Sequence, residues 1–373
     1  ELKAQGIDII SLSLGEPDFD TPDFIKDAAK KAIDDNFTHY PPVSGYGEVL
    51  EAISDKFKRD NNLDYAPNQI VVSNGAKQSL ANVILALINP GDEVLVPTPY
   101  WVSYVEIIKL AGGVPVFIYS NVDTDFKITG GQLKASITDK TKMIMFSSPC
   151  NPSGSVYSKD ELASLKDVLV NHPNIFVVAD EIYELINFGE QHYSIANFEE
   201  LYNQVITVNG VSKGFAMTGW RIGYIGAPLW IAKAVAKMQG QITSAPSSIA
   251  QKAAQAAVEA SPEKVEYMRS TFLKRRDLML EQLTSIEGIR CATPTGAFYL
   301  FPEVKAFFGK SHGDRTINNA DDLSMYLLEE ARVGVVTGNA FGNPECIRLS
   351  YATSEENLLE AAARIKSALE KLS

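Results

Sequence analysis

The chain has 373 residues, 45% hydrophobic and 21% charged, enough to bury a large core in one big domain plus a smaller one. A net charge of −12, with both signs spread along the sequence, argues against a nucleic-acid partner, whose phosphates demand clustered Lys and Arg. Cys150, Cys291 and Cys346 lie far apart without a CxxC pair, so neither a disulfide framework nor a zinc site is signalled, and a reducing cytoplasm is the expected location. No apolar run approaches the length of a membrane span, and the four histidines, His39, His172, His192 and His312, show no ligand spacing and receive no role.

The chain opens at Glu1 inside a helix-like ELKAQG stretch rather than at Met, so further residues are expected upstream. Residues 9–14 read as a strand that joins a small, discontinuous domain. Short β-branched or apolar runs then alternate with helical patterns: IVVS (70–73), EVLVP (93–97), VPVFIY (114–119), KMIMFS (142–147), IFVVAD (175–180), VITVNG (205–210) and RIGYIGA (221–227). Strands embedded between helices imply an α/β fold with a mostly parallel, doubly wound sheet of seven strands. Helices are expected over 78–87, 159–169 and 262–283, the last leading out of the large domain. Residues 297–301, 333–337 and 347–351 read as strands and 355–372 as a closing amphipathic helix, together a smaller α+β block. The expected division is a large domain over 27–270 and a small one from 1–26 and 271–373.

In an open parallel sheet, ligands sit beyond the carboxyl ends of the strands. IVVS is followed by Asn74-Gly75-Ala76-Lys77, EVLVP by Tyr100-Trp101, KMIMFS by Asn151-Pro152; IFVVA ends at Asp180 with Tyr183 next, and VITVNG leads to Ser212-Lys213. Each type has a chemical use. A lysine can form an imine with an aldehyde cofactor and, once displaced, serve as a base near a substrate α-carbon. A carboxylate about 4 Å from a pyridine nitrogen, at an effective dielectric near 20, holds its proton with roughly 4 kcal/mol. Tyr183 and Asn151 can donate hydrogen bonds to a ring oxygen, and Trp101 can stack on a ring face. Gly75-Ala76-Lys77 at a helix amino terminus, the Ser212 hydroxyl and Arg221 can hold a phosphate. Taken singly, each of these residues is more often a solvated charge, a turn or a core aromatic, and Arg348 could equally pair with a structural carboxylate.

In order, LSLGEPDFDTP, HYPPVSGYGEVLEAI, VSNGAKQSL, PYWVSY, SPCNPSG, VADEIYE, VSKGFAMTGWRIGY, GAFYLF and RLSYATSEENL resemble class I aminotransferases of fold type I, above all the bacterial aspartate aminotransferase subgroup that includes prephenate aminotransferases. The resemblance implies pyridoxal 5′-phosphate as cofactor, with Lys213 as its covalent anchor, Asp180 on the pyridine nitrogen, and Tyr183 and Asn151 on the ring oxygen. It also implies Ser212, Arg221 and the turn Gly75, Ala76 and Lys77 around the phosphate, with Tyr40 reaching the phosphate of the neighbouring subunit of a homodimer. Arg348 would clamp the substrate α-carboxylate, with Gly15, Trp101 and Asn151 lining the same site. Two features depart from the pattern: Cys150 stands where relatives commonly carry a polar residue, and 305–319 reads as a loop insertion.

The expected activity is transfer of the amino group of aspartate or glutamate to 2-oxoglutarate or oxaloacetate, an aspartate transaminase, with prephenate a further candidate acceptor. Lys77 could meet a distal carboxylate or merely neutralise the phosphate. Aromatic or alanine-type substrates, a fold type I lyase or a cyclising synthase, and a non-enzymatic ligand-binding module are the competing readings. The last wants a basic DNA-binding extension or loss of the lysine, and the sequence has neither.

Overall fold

The computed structural model describes residues 5–189 and 191–373; the start of the helix expected from Glu1 lies outside them. The chain begins with β1 (Ile10–Ser11), α1 (Asp23–Asp34) and α2 (Gly47–Asn61). A βα alternation follows: β2 (Ile70–Ser73), α3 (Ala76–Leu87), β3 (Glu93–Pro97), α4 (Ser103–Leu110), β4 (Val114–Ile118), α5 (Gly130–Ser136), β5 (Thr141–Ser147), α6 (Lys159–Leu169), β6 (Phe176–Asp180), β7 (Val205–Gly210) and β8 (Gly223–Gly226).

These strands form the expected seven-stranded sheet in the order β2-β8-β7-β6-β5-β3-β4. Only β8 runs against its neighbours, pairing antiparallel with β2 and β7. β2, β6 and β8 are buried at every position, which is why they read as continuous apolar runs: helices cover both faces of the sheet. Parallel pairing brings Pro97, Ser147, Asp180 and Gly210 to one edge of the sheet, and Ser73 joins them because β8 pairs antiparallel with both β2 and β7.

The chain continues through α7 (Leu229–Ile242), α8 (Ser248–Glu259) and α9 (Glu266–Thr284) into β9 (Tyr299–Leu300), β10 (Ser311–His312), β11 (Arg315–Thr316), α10 (Ala320–Tyr326), β12 (Val333–Gly334), β13 (Val336–Thr337), β14 (Ile347–Ser350) and α11 (Glu355–Leu369). The strand expected over 9–14 is two residues long and pairs parallel with β12. The strand expected over 333–337 divides at Val335, because its first half pairs with β1 and its second with β14. β9 is shorter than expected, since Ala297 takes a left-handed conformation with φ 57°. The helix expected from 262 opens as a 3-10 turn, Pro262–Val265, before α9. The 305–319 insertion folds into the antiparallel hairpin β10-β11. One apolar cluster joins Ile10 and Leu12 to Phe272, Phe298, Tyr326 and Ile365, so residues far apart in sequence share a core. Among the described residues no helix is long and apolar enough to cross a membrane.

Candidate active site

At the carboxyl edge of the sheet lies a cavity of about 490 Å³. Its wall includes Lys77, Lys213, Arg221 and Arg348 against the two acids Glu16 and Asp180. Four basic residues facing two acids, in a chain of net charge −12, make the cavity a locally basic spot suited to an anionic ligand.

Asp180 ends β6 and Lys213 follows β7, the adjacent parallel strand, so pairing alone aims both at the cavity. The Asp180 carboxylate accepts from Tyr104 Oη at 2.7 Å and from the Ile182 amide at 3.3 Å. Burial pushes Asp180 up to about 6; the Tyr104 hydroxyl and Ile182 amide oppose that rise, and the neighbouring Glu181 charge adds to it. Lys213 Nζ donates to the Gly15 carbonyl. Burial brings the Lys213 ammonium down to about 8, and Arg348 and Arg221 push the same way against the pull of Glu16. The result is an amine that loses its proton near neutrality beside a carboxylate that gains one only in mild acid, the separation that proton-transfer chemistry uses.

Tyr183, three residues past Asp180, shares a 2.8 Å hydroxyl contact with Tyr299 of β9. Arg348 projects from β14, donating Nη1 to Asn151 Oδ1 at 2.9 Å and Nη2 to the Ser13 carbonyl at 2.7 Å. Its Nε is buried without a protein partner, and its guanidinium lies 4.5 Å from the Tyr299 ring centroid. Those contacts engage Asn151 through its oxygen, leaving its amide NH₂ to donate elsewhere.

At another wall Gly75 caps the amino end of α3 with φ 83°, a conformation in which side chains are strained. A Cβ there would stand 2.2 Å from Arg221 Nη2, so the turn and the guanidinium form a cradle that only glycine leaves open. Arg221 is itself left-handed, φ 57°, and is tied by Nη1 to the Thr218 carbonyl at 2.8 Å. Helix-terminal amides beside a fixed guanidinium are a phosphate-type donor set. Lys77 Nζ lies 4.9 Å from the Trp101 ring centroid, and Trp101 meets Tyr104 edge-on at 5.7 Å.

Of the residues expected from sequence, Gly15, Ala76, Lys77, Trp101, Asn151, Asp180, Tyr183, Ser212, Lys213, Arg221 and Arg348 line this one cavity, and Gly75 abuts it through Arg221. Tyr40 does not line it and is 98% exposed. Tyr104, Tyr299, Glu16 and Thr218 also line it and are absent from the residues that the sequence points to. Signals existed for two: Tyr104 stands one helical turn after Trp101 in PYWVSY, and Tyr299 lies within GAFYLF.

The family model for class I and II aminotransferases matches residues 7–365. The aspartate/prephenate aminotransferase of Cereibacter sphaeroides is 46% identical over 370 residues, covering 98% of this chain and 92% of that protein. The crystal structure of the aspartate aminotransferase from Rhizobium meliloti superposes with a TM-score of 0.97 at 43% identity, over 100% of this chain and 94% of that one. An aromatic aminotransferase from Pyrococcus horikoshii superposes at 0.92 with 40% identity, over 98% and 96%.

Proposed function

This chain belongs to the class I and II aminotransferase family, and from that premise we propose that it moves the amino group of aspartate or glutamate to a 2-oxo acid, 2-oxoglutarate or oxaloacetate, with prephenate a further candidate acceptor. The family works with pyridoxal 5′-phosphate, which when bound supplies an aldehyde for an amine and an electron-withdrawing ring. The Gly75–Arg221 cradle, the basic wall and the Asp180–Lys213 pair fit such a group.

Each side chain then has a task. Lys213, an amine with a lowered pKa, would attach the cofactor and afterwards take and return the proton at the substrate α-carbon. Asp180 would hold a proton on the ring nitrogen, while the Tyr183 hydroxyl and the Asn151 amide donate to the ring oxygen. Ser212, Arg221 and the Gly75-Ala76-Lys77 turn would hold the phosphate. Arg348, with Gly15 and Trp101 beside it, would take the α-carboxylate as a bidentate fork, exchanging its Ser13 and Asn151 contacts for the substrate.

The observation that carries the substrate choice is Lys77 beside Trp101 in the same cavity as Arg348, two cations for the two carboxylates of a dicarboxylic amino acid. The likeness to an aromatic aminotransferase means that the fold does not separate these substrates, so the discriminating weight falls on side chains such as Lys77. Lys77→Ala is expected to lower kcat/KM for aspartate by about 1 to 3 kcal/mol while sparing alanine or phenylalanine. An equal loss for all substrates would reduce Lys77 to a phosphate contact.

The same reading carries a cytoplasmic location and a homodimer in which exposed Tyr40 reaches the neighbour's phosphate site. It also carries a division into a large domain, 27–270, and a small one, 1–26 with 271–373, which the shared apolar cluster of Ile10, Leu12 and the C-terminal elements supports.

A further inference from the structure

On the side of the β6 end away from the cavity lies a second group of charges that the proposed chemistry does not use. Glu181 directly follows Asp180, and along extended chain successive side chains leave on opposite faces. Its carboxylate accepts from Ser194 Oγ at 2.5 Å and lies 3.3 Å from His192 Nε2. Both side chains are sealed, Glu181 3% and His192 8% exposed. Glu184, one turn further, accepts from Lys56 Nζ and Asn61 Nδ2. The groups facing His192 are thus Glu181 and Glu184 from the turn after β6 and Lys56 from α2; Tyr65 and Tyr224 lie behind them, and Arg59 and Asp60 further along α2 pair with each other.

Two glutamates and one lysine leave this interior one negative charge in excess if His192 is neutral, with Asp180 adding another across the strand. Burying an uncompensated charge is costly, and a cation at His192 closes the balance. Glu181, Glu184 and His192 also bring ligand atoms within 4.8 Å of one another, but the Lys56 ammonium and the Asn61 amide already occupy both oxygens of Glu184, so a metal ion would meet a positive charge there. A proton on the imidazole is the cation that fits.

We propose that His192 is a positioning residue for transamination: as an imidazolium paired with Glu181 behind β6, it cancels the carboxylate next to Asp180 and so keeps Asp180 ionised for the cofactor nitrogen. The proposal rests on the role read for Asp180 above. Burial by itself would lower the His192 imidazole, but Glu181 and then Glu184 outweigh it and hold it above its ordinary value. Glu181 in turn is among the groups that raise Asp180.

Two measurements test this on the whole protein. The chain has four histidines, so imidazole ¹⁵N resonances are assignable by single substitutions, and in the wild-type holoenzyme His192 is expected to remain protonated at pH 7. The second follows the affinity for pyridoxal 5′-phosphate, by fluorescence titration, against pH. In His192→Gln the pH below which affinity falls should move up by about one unit, because the Glu181 charge is unmasked. Glu181→Gln removes both the anion and the main hold on the His192 proton, so it should not move the midpoint up, and the double variant, with a neutral pair in place of a cancelled one, should return it close to wild type. A merely structural histidine predicts no such reciprocal rescue. A neutral His192 at pH 7, an unmoved midpoint in a folded His192→Gln, a failure of the double variant to restore it, or loss of activity on chelation restored by a divalent cation would each overturn the proposal. Asp180→Asn separates this from failure of the underlying reading: if its affinity profile kept the wild-type acid limb, the role of Asp180 itself would be wrong.

Discussion

Asp180 ends a buried strand and Glu184 stands four residues on, in the turn that follows, and their environments push them in opposite directions. Asp180, on the cavity side, has a tyrosine hydroxyl and one amide as donors, and burial wins, taking it up to about 6. Glu184, on the far side, is buried too, but Lys56, His192 and Asn61 together outweigh that burial and hold it below the usual carboxylate value. Burial is common to both. The number of cationic and amide donors decides the sign. On the far side both oxygens of Glu184 are satisfied by the Lys56 ammonium and the Asn61 amide, whereas on the cavity side the Asp180 carboxylate has only neutral donors and the Arg348 Nε has no acceptor, so the charged groups there are the ones a ligand can engage.

The comparison breaks most visibly at Asp180. Asp180→Ala is expected to lower kcat by about a thousandfold, from the roughly 4 kcal/mol that a carboxylate lends a protonated ring nitrogen. It should not lower stability. With its folded pKa raised, Asp180 costs stability in full above about pH 6, less as pH falls, and nothing below its unfolded value, so the variant should equal or exceed wild type in urea midpoint near pH 8. A large drop in midpoint would place Asp180 with the structural network instead.

Lys56→Ala should do the reverse. Leaving Glu184 buried without its cation is expected to cost about 3 to 5 kcal/mol of stability, with the folded enzyme keeping most of its rate. Because the folded pKa of Glu184 is depressed, its contribution is present above the unfolded carboxylate range and lost as pH falls through the folded value. The deficit of the variant should therefore shrink in acid, which urea unfolding at pH 7 and pH 4 would reveal.

The smallest effect is expected at Tyr104. Tyr104→Phe removes a donor that lowers Asp180, so the carboxyl should rise further and kcat fall by the several-fold that about 1 kcal/mol represents. An unchanged affinity profile for pyridoxal 5′-phosphate against pH would mean that this hydroxyl does not tune Asp180.

The same contrast marks how far the sequence could be read. The central strands were legible because burial on both faces turns them into unbroken apolar runs, and Asp180 and Lys213 end or follow such runs. The short strands of the C-terminal block were blurred: Val333 and Val336 lie in one apolar stretch, and only their different partners divide it. Tyr104 and Tyr299 are not legible in the sequence because an aromatic at helix or strand spacing is usually core, and their roles depend on partners 76 and 116 residues away. His192 carried no ligand spacing, since the groups that face it come from α2 and the end of β6, which the fold alone brings together.

The central claim, an aminotransferase anchored on Lys213, is tested most directly by a half-reaction. The purified chain with stoichiometric pyridoxal 5′-phosphate is mixed with L-aspartate and no 2-oxo acid, and products are counted. The account predicts a burst of one oxaloacetate per chain that then stops, resumes on addition of 2-oxoglutarate, and is absent in Lys213→Ala. Continuous release of ammonia or carbon dioxide without an acceptor, or an undiminished burst in Lys213→Ala, would contradict it.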